Sequence, residues 1–301
     1  MTAFDLAVVV PSVNGYEDLC VALTALMGQT DVRLQTIVVD RCGETLRERV
    51  RAEFPWCTVL AVPTRTTIPA MRRAAFTVAD ADAIAVIEDH VVVPVDWARR
   101  MLDLLSFELA GGATVVGGAV ENLATDSLVD WTAFLCEYSH CLPPLPAGEV
   151  NWLTGNNVIY PRSVLVDALG DVPTDAWENV IHEAMRSRGV RLVCHPEVVV
   201  GHRKFYSIAE YGGQRFLYAR AFAGARIRSM TPLRRVAYGL AACALPAMLF
   251  ARIVHRVWRS GKHRRELFAG LPLLGAFVIA WGAGESVGAF LGPGDALGRV
   301  C

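Results

Sequence analysis

The segment AIAVIEDHVVVPVDW, residues 83–97, decides the reading of this chain, because a short apolar run passes directly into Glu88, Asp89 and His90. An apolar run of this length, bounded by polar residues, suits a strand buried on both faces. Open α/β sheets hold their ligands at the carboxyl ends of such strands, and carboxylate and imidazole groups clustered there suit a cation and a phosphate-bearing substrate. The same trio would also suit a solvated turn, so the flanking segments must decide between the two.

Working outward, apolar runs at 6–10, 34–39, 57–62, 83–87 and 114–119 alternate with amphipathic stretches at 16–27, 44–54, 69–78 and 96–109. Continuous Val, Ile and Ala runs separated by helices are the pattern of a parallel sheet covered on both faces. The chain is therefore expected to open with a doubly wound, mostly parallel α/β domain. Several of its strands end in polar groups: Pro11, Ser12, Val13 and Asn14 after the first, and Asp40 and Arg41 after the second. Strand ends of this kind share one edge, so residues far apart in sequence would line one crevice. Neither GxGxxG nor GxxxxGK[ST] occurs at these turns, which argues against a dinucleotide-binding or P-loop site.

Residues 121–175 are less regular, with a loop marked by Pro143, Pro144 and Pro146, and with a strand and turn beyond it. A helix is expected over 175–188, its apolar phase carried by Trp177, Val180, Ile181, Ala184 and Met185 and its end set by Gly189. A further strand at 198–200 leads into Gly201, His202, Arg203 and Lys204.

The composition is 53% hydrophobic and 20% charged, with a mean hydropathy of +0.35, which implies a membrane-associated part. That excess lies after Val236. The stretch 236–251 is about 24 Å long as a helix, short against a hydrocarbon core of about 30 Å. It is interrupted by Pro246 and flanked by basic residues on both sides, Arg228, Arg234 and Arg235 before and Arg252 to Arg265 after. An interfacial or re-entrant helix fits it better than a plain span. Residues 267–292 are long enough to cross, with Pro272 and Glu285 as interruptions and Gly284, Gly288 and Gly292 as a small-residue face for helix packing. Glu285 would be either a buried functional carboxylate or a group near the membrane surface, and the second is expected. The basic residues between the two stretches would attract anionic headgroups or set orientation.

A net charge of −1 gives no footprint for nucleic acid. The eight cysteines form no CxxC pair, so neither a zinc framework nor a redox motif is expected, and reduced thiols in the cytosol are. The N-terminus, with Asp5 and Pro11, does not read as an export signal.

In order, VVVPSVN (8–14), TIVVD (36–40), IPAMRRA (68–74), the 83–97 segment, TGNNVIYPR (154–162), WENVIHEAMRSRG (177–189) and VVGHRK (199–204) resemble the successive motifs of inverting family-2 glycosyltransferases with a GT-A fold. The likeness runs over about residues 5–220. WGAGESVGAFLG (281–292) is similar to membrane-bound members. The resemblance implies a catalytic domain at 1–225 and a membrane-associated region at 226–301. It implies that Pro11, Asn14, Asp40, Arg72, Glu88 and Asp89 serve the nucleotide-sugar, and that Asn156 and Trp177 serve the acceptor or phosphate. His90 takes the place of the last aspartate of the family's Asp-x-Asp metal motif, and His202 matches a histidine completing the site. With histidines replacing oxygen ligands, manganese is favoured over magnesium.

Glu178 falls on the base position of the family's acidic pair. Asp175 as N-cap with a glutamate three residues on would also satisfy a capping box, which by itself explains a glutamate here. Gln214, Arg215 and Arg220 follow within GGQRFLYARAFAGAR (212–226), suited to a diphosphate, an anionic lipid acceptor or juxtamembrane anchoring. The QxxRW motif of chain-elongating synthases is absent in that form, so a single transfer is expected. The expected protein is thus a transferase at the cytoplasmic face of the cell membrane, acting on a lipid-linked or membrane-proximal acceptor. A nucleotidyltransferase or a degenerate nucleotide-sugar-binding scaffold are the alternatives. The first would ordinarily carry a glycine- and lysine-rich loop after strand one, which PSVNGYEDL is not.

Overall fold

The computed structural model describes residues 3–227 and 230–300, so Arg228 and Cys301 of the sequence reading lie outside the described residues. In chain order the first elements are β1 (Leu6–Ser12), α1 (Tyr16–Met27), β2 (Leu34–Asp40), α2 (Glu44–Glu53), β3 (Thr58–Ala61), α3 (Ile68–Val78), β4 (Ala83–Val86), β5 (Val91–Val92) and α4 (Trp97–Leu109). Then come β6 (Thr114–Asn122), α5 (Leu128–Tyr138), β7 (Gly148–Glu149), β8 (Val158–Pro161), α6 (Arg162–Leu169), α7 (Glu178–Ser187) and β9 (Arg191–His202). Helices α8 (Ile208–Arg226), α9 (Pro232–Ala241), α10 (Leu245–Ser260), α11 (Arg264–Leu291) and α12 (Ala296–Arg299) complete the chain.

Packing divides the chain into two units, Met1–Glu121 with Cys141–Arg203, and Asn122–His140 with Lys204–Cys301. The boundary expected at 225/226 thus moves to 203/204, with α5 joining α8 to α12.

The first unit holds a nine-stranded sheet in the order β3-β2-β1-β4-β8-β6-β9-β5, with β7 beside β9. Its β3-β2-β1-β4 half is parallel, as the alternation of strands and helices predicts. Beyond β4 the pairings of β4 with β8, β6 with β8, β5 with β9 and β7 with β9 are antiparallel, so the sheet is mixed rather than mostly parallel. Burial pattern carries no strand direction: VIYP is buried throughout whichever way it runs. The 198–200 run is the end of a twelve-residue strand. The core gathers around β1, whose seven residues are all buried, with Met71, Ala75 and Phe76 of α3 and Ile181 and Met185 of α7 packed into the same cluster.

In the second unit α11 runs unbroken through Pro272. Its glycines admit neighbouring helices closely: a Cβ on Gly284 would lie 2.2 Å from the Phe216 carbonyl oxygen of α8, one on Gly288 2.5 Å from that of Arg220, and one on Gly270 2.3 Å from the side-chain Oγ1 of Thr132 on α5. This contact is why α8 and α5 group with the C-terminal helices. Gly292 is not on that face, because at φ 79° it ends the helix. Glu285 is buried within the unit, 1% exposed, and its carboxylate takes Arg226 Nη1 at 2.6 Å together with the Tyr238 hydroxyl. Pro246 opens α10 instead of breaking it, where a missing N–H costs nothing. The helical run Pro232–Ser260 is accordingly 29 residues long, more than the 16 its apolar pattern suggests. It and Arg264–Leu291 are each long and apolar enough to cross a membrane.

Gly118 tests the antiparallel half of the sheet, since a Cβ there would sit 2.0 Å from the Val198 carbonyl oxygen of β9. Gly118→Ala is expected to cost about 3 kcal/mol through overpacking against backbone that cannot yield, read as a fall in Tm by thermal unfolding.

Candidate active site

β1 and β4 are parallel neighbours paired through Val9 and Val86, so the loops leaving their carboxyl ends emerge side by side. Asp89 joins them. Its carboxylate accepts the backbone N–H groups of Val13 at 2.7 Å and Asn14 at 2.9 Å, and the Asn14 amide at 2.7 Å. It also contacts His90 Nδ1 at 2.9 Å. At 1% exposure Asp89, expected at the donor, is turned inward and holds the two loops and one imidazole. Burial alone would raise its pKa, but these bonds, that of His90 foremost, hold it below the usual carboxylate value.

The partner of His90 comes from the far end of the sheet. β5 pairs with β9 through Val91 and His202, and this register sets His90 Nε2 3.0 Å from His202 Nε2. Glu88 completes a trio, with Oε2 3.4 Å from His90 Nε2 and accepting the Asn156 amide at 3.2 Å. Asn156, expected at the acceptor or phosphate, therefore steadies Glu88.

Ligand atoms of Glu88, His90 and His202 all lie within 4.8 Å of one another. Two ring nitrogens and one carboxylate suit a borderline divalent ion, and the Asp89 to His90 contact is the outer-shell carboxylate that such a histidine ligand needs. The residues fit a divalent cation. Without one, burial disfavours the His90 cation, but bonds to Asp89 and Glu88 outweigh it and lift the imidazole to about 10. Burial likewise opposes the Glu88 anion, while His90, Arg72 and His202 hold it well below the usual range.

Arg72 links this cluster to Glu178. Thr67 caps α3, which carries Arg72 at 6% exposure. Arg72 Nη1 donates to Glu178 Oε2 at 3.0 Å, and its Nη2 lies 3.7 Å from Glu88 Oε1. Trp177 stands as the N-cap residue of α7 with its ring 5.9 Å from the Arg72 guanidinium. No side chain caps α7, so the capping box that Asp175 and Glu178 could form is not made. Gly155 permits the meeting: a Cβ there would lie 2.8 Å from both Arg72 Nη1 and Glu178 Cδ.

Pro11 is buried in β1 opposite Val39. Asp40 is fully buried at the end of β2, accepting N–H from Cys42 at 2.9 Å and Gly43 at 3.1 Å and pairing with Arg47 at 2.8 Å. Gln214, Arg215 and Arg220 belong to the second unit. There Arg215 is buried in an ion pair with Glu137 at 2.9 Å beside Tyr211, Tyr218 and Trp281, and Arg220 Nε donates to the Gly292 carbonyl at 3.2 Å.

Gly155, His182 and Tyr160 were not anticipated from the sequence. The signal for His182 was a polar residue on the inward stripe of α7, between Ile181 and Met185.

Residues 7–134 match the family model for glycosyl transferase family 2. Among solved structures the fold is similar to S. aureus TarS, at 12% identity and TM-score 0.51 over 94% of this chain and 55% of TarS. It is also similar to GalNAc-T7, solved with UDP, GalNAc and Mn2+, at 13% identity and TM-score 0.52 over 68% of this chain and 44% of that one. The chain thus spans about half the length of each. No curated protein matches the sequence significantly. The mixed sheet has the fold of these two structures. The segment 7–134, less than half of the chain, is thus similar to glycosyl transferase family 2.

The raised pKa of His90 means that a cation must displace a proton from it. Mn2+ affinity, followed by electron paramagnetic resonance, is expected to climb about tenfold per pH unit between about pH 6 and 9. The metal-free fold behaves oppositely. The protonated His90 stabilises it fully below about pH 6.5, and that contribution is lost as pH rises towards 10.

Proposed function

We propose that this protein is an inverting glycosyltransferase that moves one sugar from a nucleotide-sugar donor to a lipid-linked or membrane-proximal acceptor. The observation that carries this reading is the Arg72 bridge, which joins Glu178 to the Glu88, His90 and His202 cluster through contacts each under 4 Å. In the reaction the acceptor hydroxyl oxygen attacks the anomeric carbon, the bond from that carbon to the diphosphate oxygen breaks, and the hydroxyl proton passes to Glu178. Arg72 engages one Glu178 oxygen, and general base chemistry needs only the other.

Glu88, His90 and His202 would hold the divalent cation, manganese in preference to magnesium given two imidazole ligands. When bound, the ion supplies positive charge against the developing charge of the leaving nucleoside diphosphate. Asn14, positioned by Asp89, and Arg72 are the groups of this chain proposed to face the donor. Pro11 and Asp40 shape the backbone around it, and Trp177 is proposed to border the acceptor. Gln214 remains proposed for the acceptor or phosphate, while Arg215 and Arg220 serve the packing of their own unit.

Glu178→Gln is expected to lower turnover by about 10³-fold while leaving donor binding intact. Nucleoside diphosphate release from a panel of nucleotide-sugars, with Mn2+ or with chelator, measures it. Unchanged release overturns the base assignment, and failure of every donor in the wild type supports the scaffold alternative.

The second unit is proposed to place the protein at the cytoplasmic face of the cell membrane. Support comes from the two long apolar helices and from large exposed side chains on them, Leu233 at 81%, Leu240 at 64% and Ile279 at 62%. The full chain is expected to float with phosphatidylglycerol-containing vesicles in a density gradient. Leu240→Asp with Ile279→Asp is expected to cut the floating fraction by about tenfold or more, since each removes an apolar side chain's transfer free energy.

A further inference from the structure

One turn beyond Glu178 on α7, His182 lies with no exposed surface. Its Nε2 is 2.9 Å from the hydroxyl of Tyr160 on β8, and its Nδ1 accepts the backbone N–H of Leu153 at 3.5 Å. An acceptor at Nδ1 places the ring proton on Nε2, which then donates to Tyr160. Burial, followed by the charge of Arg72, pushes this imidazole down to about 3, so the ring is neutral at physiological pH.

Leu153 begins the short loop that touches both acidic groups of the site. Two residues on, Gly155 abuts Arg72 and Glu178. Asn156, fixed by a 2.8 Å bond from Thr154 Oγ1, donates to Glu88. An apolar side chain would satisfy the inward stripe of α7 as Ile181 and Met185 do, so packing alone does not account for a histidine here.

We propose that His182 is a positioning residue, which by bonding Leu153 on one side and Tyr160 on the other sets the loop 153–156 against Arg72, Glu88 and Glu178. This rests on the reading of that cluster as the donor and base site.

The test uses the full chain, with Mn2+ alone as probe and amide hydrogen exchange as the second readout. His182→Leu is expected to weaken Mn2+ binding by about tenfold, as loss of an outer-shell partner does. It should also speed exchange at 153–156 by about tenfold while β1 exchanges as in the wild type. His182→Asn, which keeps an acceptor near Nδ1, should recover at least half of each loss on a logarithmic scale.

Equal losses in the Leu and Asn variants overturn the proposal, as do wild-type affinity and exchange in the Leu variant. If His182→Leu does not fold, Tyr160→Phe removes only the hydroxyl and is expected to give about threefold effects in the same direction; no effect overturns the proposal. Neither readout involves sugar transfer. A failed base assignment, judged by turnover of Glu178→Gln, is therefore distinct from a failed positioning role.

Discussion

A buried carboxylate at the junction of two loops is the constraint on which the rest of the site depends. Desolvating a carboxylate costs several kcal/mol unless its oxygens are satisfied, and Asp89 meets that demand with two backbone N–H groups, one amide and one imidazole. The loop after β1 and the loop after β4 are thereby held together, and the imidazole plane of His90 is set. Only with Nδ1 of that ring committed does Nε2 face Glu88 and His202.

Arg72 does for the two halves of the site what Asp89 does for the two loops. A planar guanidinium can serve two carboxylates at once in fixed directions, and here it reaches Glu178 from one nitrogen and Glu88 from another. The geometry makes the acidic residue of α7 and the imidazole cluster parts of one charge network. Gly155 is required because a methyl group at that position would occupy the space where guanidinium and carboxylate meet.

In the second unit small residues and charge pairs share the work. Glycines of α11 let α8 approach to backbone contact. The charged groups that the sequence scatters among apolar residues are absorbed in pairs, Arg215 with Glu137 and Arg226 with Glu285. Charges so neutralised are compatible with an apolar surrounding, and the apolar side chains of α9 and α10 turn outward.

The parallel half of the sheet, its helices and the presence of Glu88, His90, His202, Arg72 and Glu178 as charged and imidazole groups could be read from the chain, because burial and residue type are local properties that periodicity and composition record. Strand direction, the inward turn of Asp89 and Asn156, the buried state of Glu285, and the roles of Gly155 and His182 could not. Each depends on what stands opposite, and partners such as Asn14 and Asp89, or Arg72 and Glu178, lie 75 and 106 residues apart in the chain. The sequence by itself determined which groups were available for chemistry, and the tertiary structure decided which of them face a ligand and which hold others in place, since a carboxylate's role is set by the donors that surround it.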